Sequence, residues 1–345
     1  MLAPDPGRAT ATRRGLLSVG ALLLLIGAGL TAWAVTTVAL IGVARATLGV
    51  VGVLALIAGL GRVAHAVRGR HVDVVLCLGV VWLVLVVGAA VLAPWLPLAN
   101  HDDAVAGLRE PIFAEPALGS EHPLGTNNYG LDVLARTVFG ARTSITVAIV
   151  AVLLGAVVGG TVGIVAGFVR GGVDRVVGVA ANALLAVPPL ILLIALGTVL
   201  EPSLRSISFA LSLLTVPSMV RLARANTIAV AEREFVLAAR ALGAHRLRLL
   251  AREVLPNVVL PMLSLSVVMI SVLVVAEASL SFLGIGIQQP QPTWGNMIAE
   301  GQGGVMEEHP FIVVIPGVCL FLTVFSVNLL GEKAQEHWNV RSAKL

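Results

Sequence analysis

The amino-acid sequence predicts an all-α polytopic membrane protein, and three observations carry the prediction. Of 345 residues, 57% are hydrophobic and 12% charged, with a mean hydropathy of +0.97, which is too apolar for a water-soluble core. Charge-free runs long enough to cross a hydrocarbon layer of about 30 Å recur along the whole chain. The Lys and Arg residues sit in short clusters between those runs, so the formal net charge of +4 reflects membrane topology and not nucleic-acid binding. Cys77 and Cys319 lie in separate apolar runs, which suggests neither a disulfide framework nor a metal site.

Taken in order, the runs predict eight spans. Gly15–Ala44 follows Arg13 and Arg14 and is too long for a signal-peptide core, so it reads as an anchor. Ala46–Gly61 is separated from it only by Arg45, and the basic flanks on both sides of the pair require an even number of crossings. The third span, Val74 to about Trp95, ends in the punctuation of Pro94 and Pro97. Asn100–Arg142 is then a polar external loop with a turn-rich stretch, His122–Gly130. The fourth span, Thr143–Val169, places Gly155, Gly159, Gly163 and Gly167 on one helix face, where small residues let a second helix approach closely.

The fifth span, Val176–Leu200, passes through Pro188 and Pro189, read as a kink in preference to a mark of the substrate path. Ser203–Leu222 carries the chain back inside. A charged insert, Ala231–Asn257, follows: helix formers up to Leu242, a break at Gly243, then a short basic helix stopped by Pro256. Its basic excess predicts a cytoplasmic location. The seventh span, Asn257 to about Gly286, is interrupted by Ser264, Ser266, Ser271, Ser279 and Ser281 and carries Glu277 near its outer end. An ionisable group at membrane depth is a functional candidate, although one near an interface also serves to cap or pair with a neighbouring helix. An external loop with Trp294, suited to an interfacial position, leads to the last span, Pro310–Gly331, which ends inside.

No phosphate loop of the form GxxxxGK[ST] is present, and no Ser/His/Asp or metal-ligand grouping falls on facing positions, so no catalytic residue and no metal is expected. His101, His122 and His309 are all external and could converge, but their spacing gives no metal pattern.

Three separated stretches carry a family likeness. HPLGTNNYGLDVLARTVFGARTS from His122, EFVLAARALGAHRLRLLAREVLPN from Glu234, and AEASLSFLGIGIQQPQPTWGNMIAEG from Ala276 occur in order. With them, the chain from about Asp73 to Gly331 resembles the permease subunits of dipeptide/oligopeptide ABC importers, specifically the second permease of the heterodimeric pair. The resemblance implies a six-helix type I permease core, to which the two N-terminal helices are an addition. It divides the chain into an extension over 1–71, a first core helix and external loop over 72–142, a core over 143–332 with a docking loop at 223–256, and a tail over 333–345.

The resemblance also implies that Leu237, Ala238, Ala239, Arg240, Gly243, Leu255 and Pro256 form the ATPase-docking loop. The family has Glu where this chain has Leu237, Asp and Arg where it has Asn127 and Leu131, and commonly an acidic residue at Asn182. These departures remove the basis for an ion pair at Leu237 and for an external salt bridge at Asn127 and Leu131. Candidate translocation-path residues are Asn182, Pro188, Ser271 and Glu277. Implied partners are a homologous second permease, one or two ABC ATPase subunits that bind ATP and Mg, an external substrate-binding protein, and membrane lipid. The chain itself then needs no cofactor and resides in the inner membrane with both termini cytoplasmic. The rival reading is an ion-coupled secondary transporter, which needs polar coupling residues near the bilayer midplane.

Overall fold

The computed structural model describes residues 17–31, 51, 55–59, 62–63, 73–117 and 119–342, with side chains to 336. Two compact units are present, Met1–Val80 and Val81–Leu345. In the first, helix α1 (Leu17–Thr31) meets residues 55–59 through glycines: a Cβ on Gly20 would lie 3.1 Å from the Gly59 carbonyl oxygen. Most of the expected second span, Ala46–Gly61, lies outside the described residues.

No strand occurs among the described residues. Helix α2 (Val74–Leu92) leads through a 3-10 turn at Ala93–Trp95 into a polar loop that runs to Asp132. Helix α3 (Val133–Val169) begins ten residues before the expected Thr143. The cause is local. Asp132 caps it, accepting a hydrogen bond from the Ala135 N–H at 2.6 Å, so the basic first turns that read as loop are helical.

The expected fifth span is not one helix. It is α4 (Gly171–Ala186) and α5 (Pro189–Val199), bent by 89°. Neither Pro188 nor Pro189 has an N–H to donate, and Val187 and Pro188 both take extended backbone, so the hydrogen-bond ladder stops completely instead of kinking. Helix α6 (Leu204–Ala231) is capped by Ser203 and runs nine residues beyond the expected Leu222. Then come α7 (Glu234–Ala241), a turn and α8 (Leu255–Phe282), the short α9 (Trp294–Ala299) and α10 (Phe311–Ser342), which continues past the expected Gly331. Among the described residues, five helical segments are long and apolar enough to cross a membrane, or six when the bent pair counts as one.

Among the described residues, the most extensive helix contact is α3 on α6. A Cβ on Gly159 would lie 2.5 Å from the Val216 carbonyl oxygen, one on Gly163 2.5 Å from that of Val220, and one on Gly167 2.7 Å from that of Arg224. Gly155 instead faces the Thr215 side chain, whose Cβ an added Cβ would strike. The two backbones therefore touch along three turns, which any side chain at these positions would prevent. Val147, Ala148, Ala151, Leu211, Leu273 and Leu280 fill the adjoining core. Many Leu, Val and Phe side chains elsewhere, among them Val84, Val157, Ile191 and Phe321, remain exposed, as expected where the surroundings are lipid or another subunit.

Candidate functional site

The charged insert folds into a knob at the end of α6. Helix α7 ends in a Schellman motif: the Gly243 N–H reaches the Arg240 carbonyl at 3.0 Å and the Ala244 N–H reaches that of Ala239 at 3.1 Å. Gly243 has φ +86 and open space around its Cβ position, so backbone conformation alone demands glycine there. His245 caps the next turn, Arg246–Leu249, with Nδ1 accepting from the Arg248 N–H at 3.3 Å. A wide π turn at Leu250–Val254 then passes into α8. Pro256 accounts for it: the ring has no N–H and would crowd the carbonyl four residues earlier, and the extra residue in the turn relieves both problems.

Val236, Leu249 and Val254 are buried and hold the knob to the bundle. Its opposite face is apolar and open: Leu242 is 89% exposed and Leu247 73%, with Phe235 and Leu237 also exposed. Ala238, Arg240, Leu255 and Pro256 are exposed as well, and Ala239 is half-buried. All seven residues of the expected docking loop thus fall on or beside one knob. Leu237 stands in the open with no charge to offer a partner.

At the other end of the bundle lies a folded clasp. Arg136, in the first turns of α3, donates from Nη2 to Glu300 Oε1 at 2.5 Å and from Nη1 to the carbonyls of His101 and Pro290 at 3.0 and 3.1 Å. The two side chains are 1% and 3% exposed. Asn127 donates from Nδ2 to Glu300 Oε2 at 3.0 Å, and its Oδ1 accepts from the Tyr129 and Leu131 N–H groups. Burial raises the Glu300 pKa, and the Arg136 charge and the Asn127 hydrogen bond oppose that rise. The positions that depart from the family pattern thus serve as a neutral hydrogen-bonding turn (Asn127) and a buried apolar contact (Leu131), while a salt bridge forms beside them from Arg136 and Glu300. Sequence reasoning missed that pair. The available signal was an arginine at the mouth of a strongly apolar helix, which requires a counter-charge.

Trp294 is not interfacial. It is fully buried, with Nε1 donating to the Thr137 carbonyl at 3.1 Å, because the Thr293–Asn296 capping box turns α9 onto α3. The three histidines do not converge: His101 stacks on Phe139, His309 stacks on Phe113, and His122 lies between Asp132 and Glu110. Among the described residues, no cluster of three or more His, Cys, Asp or Glu could hold a metal ion. The four path candidates are likewise not brought together. Asn182 and Pro188 are exposed, Ser271 is buried and donates to the Val268 carbonyl, and Glu277 is sealed in the bundle with Ser281 donating to its Oε1 at 2.7 Å.

Apolar spans with a knob on an apolar base at one end and a folded clasp at the other make up a multi-pass membrane bundle. The chain belongs to the family of binding-protein-dependent transport system inner membrane components, whose model matches residues 159–335. It is similar to a peptide transport system permease protein of Brucella suis biovar 1, 34% identical over 259 residues that cover 74% of this chain and 84% of the relative. The dipeptide transport system permease protein DppC of Alkalihalophilus pseudofirmus is 30% identical over 255 residues, covering 74% and 83%. The glutathione transport system permease protein GsiD of Shigella flexneri is 34% identical over 265 residues, covering 77% and 85%.

Proposed function

We propose that this chain is one permease of a heterodimeric, ATP-driven importer for di- or oligopeptides or a similar small solute. The second permease is a homologue, the solute arrives on an external binding protein, and one or two ABC ATPases bind ATP and Mg and dock on the 231–257 loop. Both termini of the chain are cytoplasmic in this reading. The observation that carries it is the knob: an apolar tip at Leu242 and Leu247, open to solvent, on a base fixed by Val236, Leu249 and Val254. Exposed leucines at the tip of a polar loop need a covering surface, and a rigid mount lets that surface push on the spans. The peptide class is supported by the names of the relatives. The ion-coupled alternative needs a charge accessible from a path through the membrane, and the enclosure of Glu277 counts against it.

Replacement Gly243→Val tests the reading. Affinity purification in mild detergent should recover a second permease and ATPases with the native chain. The variant should retain the permease partner and lose the ATPases. Recovery of ATPases with both forms would contradict the docking assignment.

A further inference from the structure

We infer that Arg224 and Arg170 make α4 part of the body that moves with the docking knob, and that the break at Val187 and Pro188 is the elbow about which α5 is left behind. The inference rests on the docking reading above. Arg224 lies on α6 two turns before the knob. Its Nε and Nη2 donate to the two carboxylate oxygens of Asp174 in the first turn of α4, the second bond being 2.8 Å. A guanidinium held by both carboxylate oxygens fixes orientation as well as distance. Gly178, one turn further along α4, lies beside the guanidinium, a Cβ there falling 3.9 Å from Arg224 Cζ, an ordinary contact.

A second tie lies beside the first. Arg170 closes α3 and opens α4 with φ +61, and its Nη2 donates to Glu232 Oε1 at 2.9 Å and to the Ile228 carbonyl at 3.4 Å. Glu232 is the cap residue between α6 and the knob. Gly167 presses α3 onto the same turn of α6, against the Arg224 carbonyl and Thr227. The end of α3, the start of α4 and the root of the knob are thus bound together by two ion pairs and a backbone contact.

Helix α5 carries no charged residue and is held by apolar packing on α6 and α8 alone: Leu193 is fully buried, and Gly197 packs against Ile285, just beyond the outer end of α8. Between the two helices lie only the extended residues Val187 and Pro188. One half of the bent pair is therefore pinned to the root of the knob by ion pairs and the other held by apolar packing that can slide, and rotation is cheapest where no ladder hydrogen bond must break. Arg224, Asp174, Arg170 and Glu232 are positioning residues in this scheme. They carry the stroke and need touch no solute.

The test uses the complete complex, permease pair with ATPases, in nanodiscs, with Cys77 and Cys319 replaced by Ser. Spin labels at Ala229 on α6 and either Val179 on α4 or Ile191 on α5, all exposed, report distances without nucleotide and after trapping with ATP and vanadate. The 229–179 distance should stay constant while the 229–191 distance shifts by about 2 Å or more. Asp174→Arg should make the 229–179 distance nucleotide-dependent with the ATPases still bound, and adding Arg224→Asp should restore constancy. A shift in 229–179 matching that in 229–191 in the otherwise unaltered complex would overturn the inference, as would a charge reversal without effect on either distance. Absence of ATPases from the unaltered complex would instead overturn the docking reading.

Discussion

Arg136 and Glu300, 164 residues apart in the chain, meet in a 2.5 Å ion pair that water hardly reaches. The pair joins the first turns of α3 to the end of α9. Burying two charges brings little net stability, but removing one partner strands the other. Arg136→Met should therefore destabilise the chain by about 3–5 kcal/mol, because it leaves the Glu300 carboxylate among buried groups. Glu300→Gln keeps an acceptor for the guanidinium and for Asn127, and should cost less. Thermal unfolding of the purified variants in detergent measures both, and equal losses would refute the asymmetry.

His122 supplies a pH dependence. Its Nδ1 lies 3.0 Å from Asp132, the cap of α3, and its Nε2 3.3 Å from Glu110 in the polar loop before it. Burial disfavours the imidazolium, but hydrogen bonds and charge from Asp132 and Glu110 outweigh it and raise the pKa above the ordinary 6.5. A raised histidine pKa contributes stability that is complete below the unfolded value and disappears as pH rises through the folded one. The native chain should thus exceed His122→Gln in stability by about 1–2 kcal/mol in mildly acid solution, the advantage fading toward alkaline pH. A difference independent of pH would show that the histidine acts by packing alone.

Gly159 faces the Val216 carbonyl at a distance no Cβ tolerates. Gly159→Val should separate α3 from α6 and cost about 1–3 kcal/mol or more, whereas Gly317→Val, with open space at its Cβ position, should be far milder. Unfolding midpoints of the two variants decide this, and matching values would remove the close approach as a source of stability.

Much of this architecture is legible in the sequence because lipid leaves few options. Spans follow from charge-free length, and the regular spacing of Gly155 through Gly167 exposes a contact face before any partner helix is known. Gly243 is legible too, since its neighbours are strong helix formers and only a left-handed residue ends such a run cleanly. Other features depend on distant chain. Pro188 and Pro189 are visible, but whether they kink or break a span depends on what holds each half, here Arg224 on one side and Ile285 on the other. Trp294 resembles an interfacial residue until its indole N–H finds the Thr137 carbonyl. The start of α3 is hidden by Arg136 and Arg142, which look like loop residues until Glu300 neutralises the first.

The wide turn at Leu250–Val254 sets the rotational phase of everything after it. The buried positions on this stretch are Leu249, Val254, Val258 and Met262, so their spacing is five residues across the turn and four thereafter. Each residue of an α-helix advances the side chain by about 100°, so the one extra residue rotates the whole of α8 by roughly that angle relative to an uninterrupted continuation from Arg246. The knob and the span can then each bury the correct face, although no single straight helix could satisfy both. Register between lever and membrane helix is written into a single residue, and losing one between 250 and 254 would turn Val258 and Met262 away from Ile164 and Ala223 while leaving the composition of both segments almost untouched.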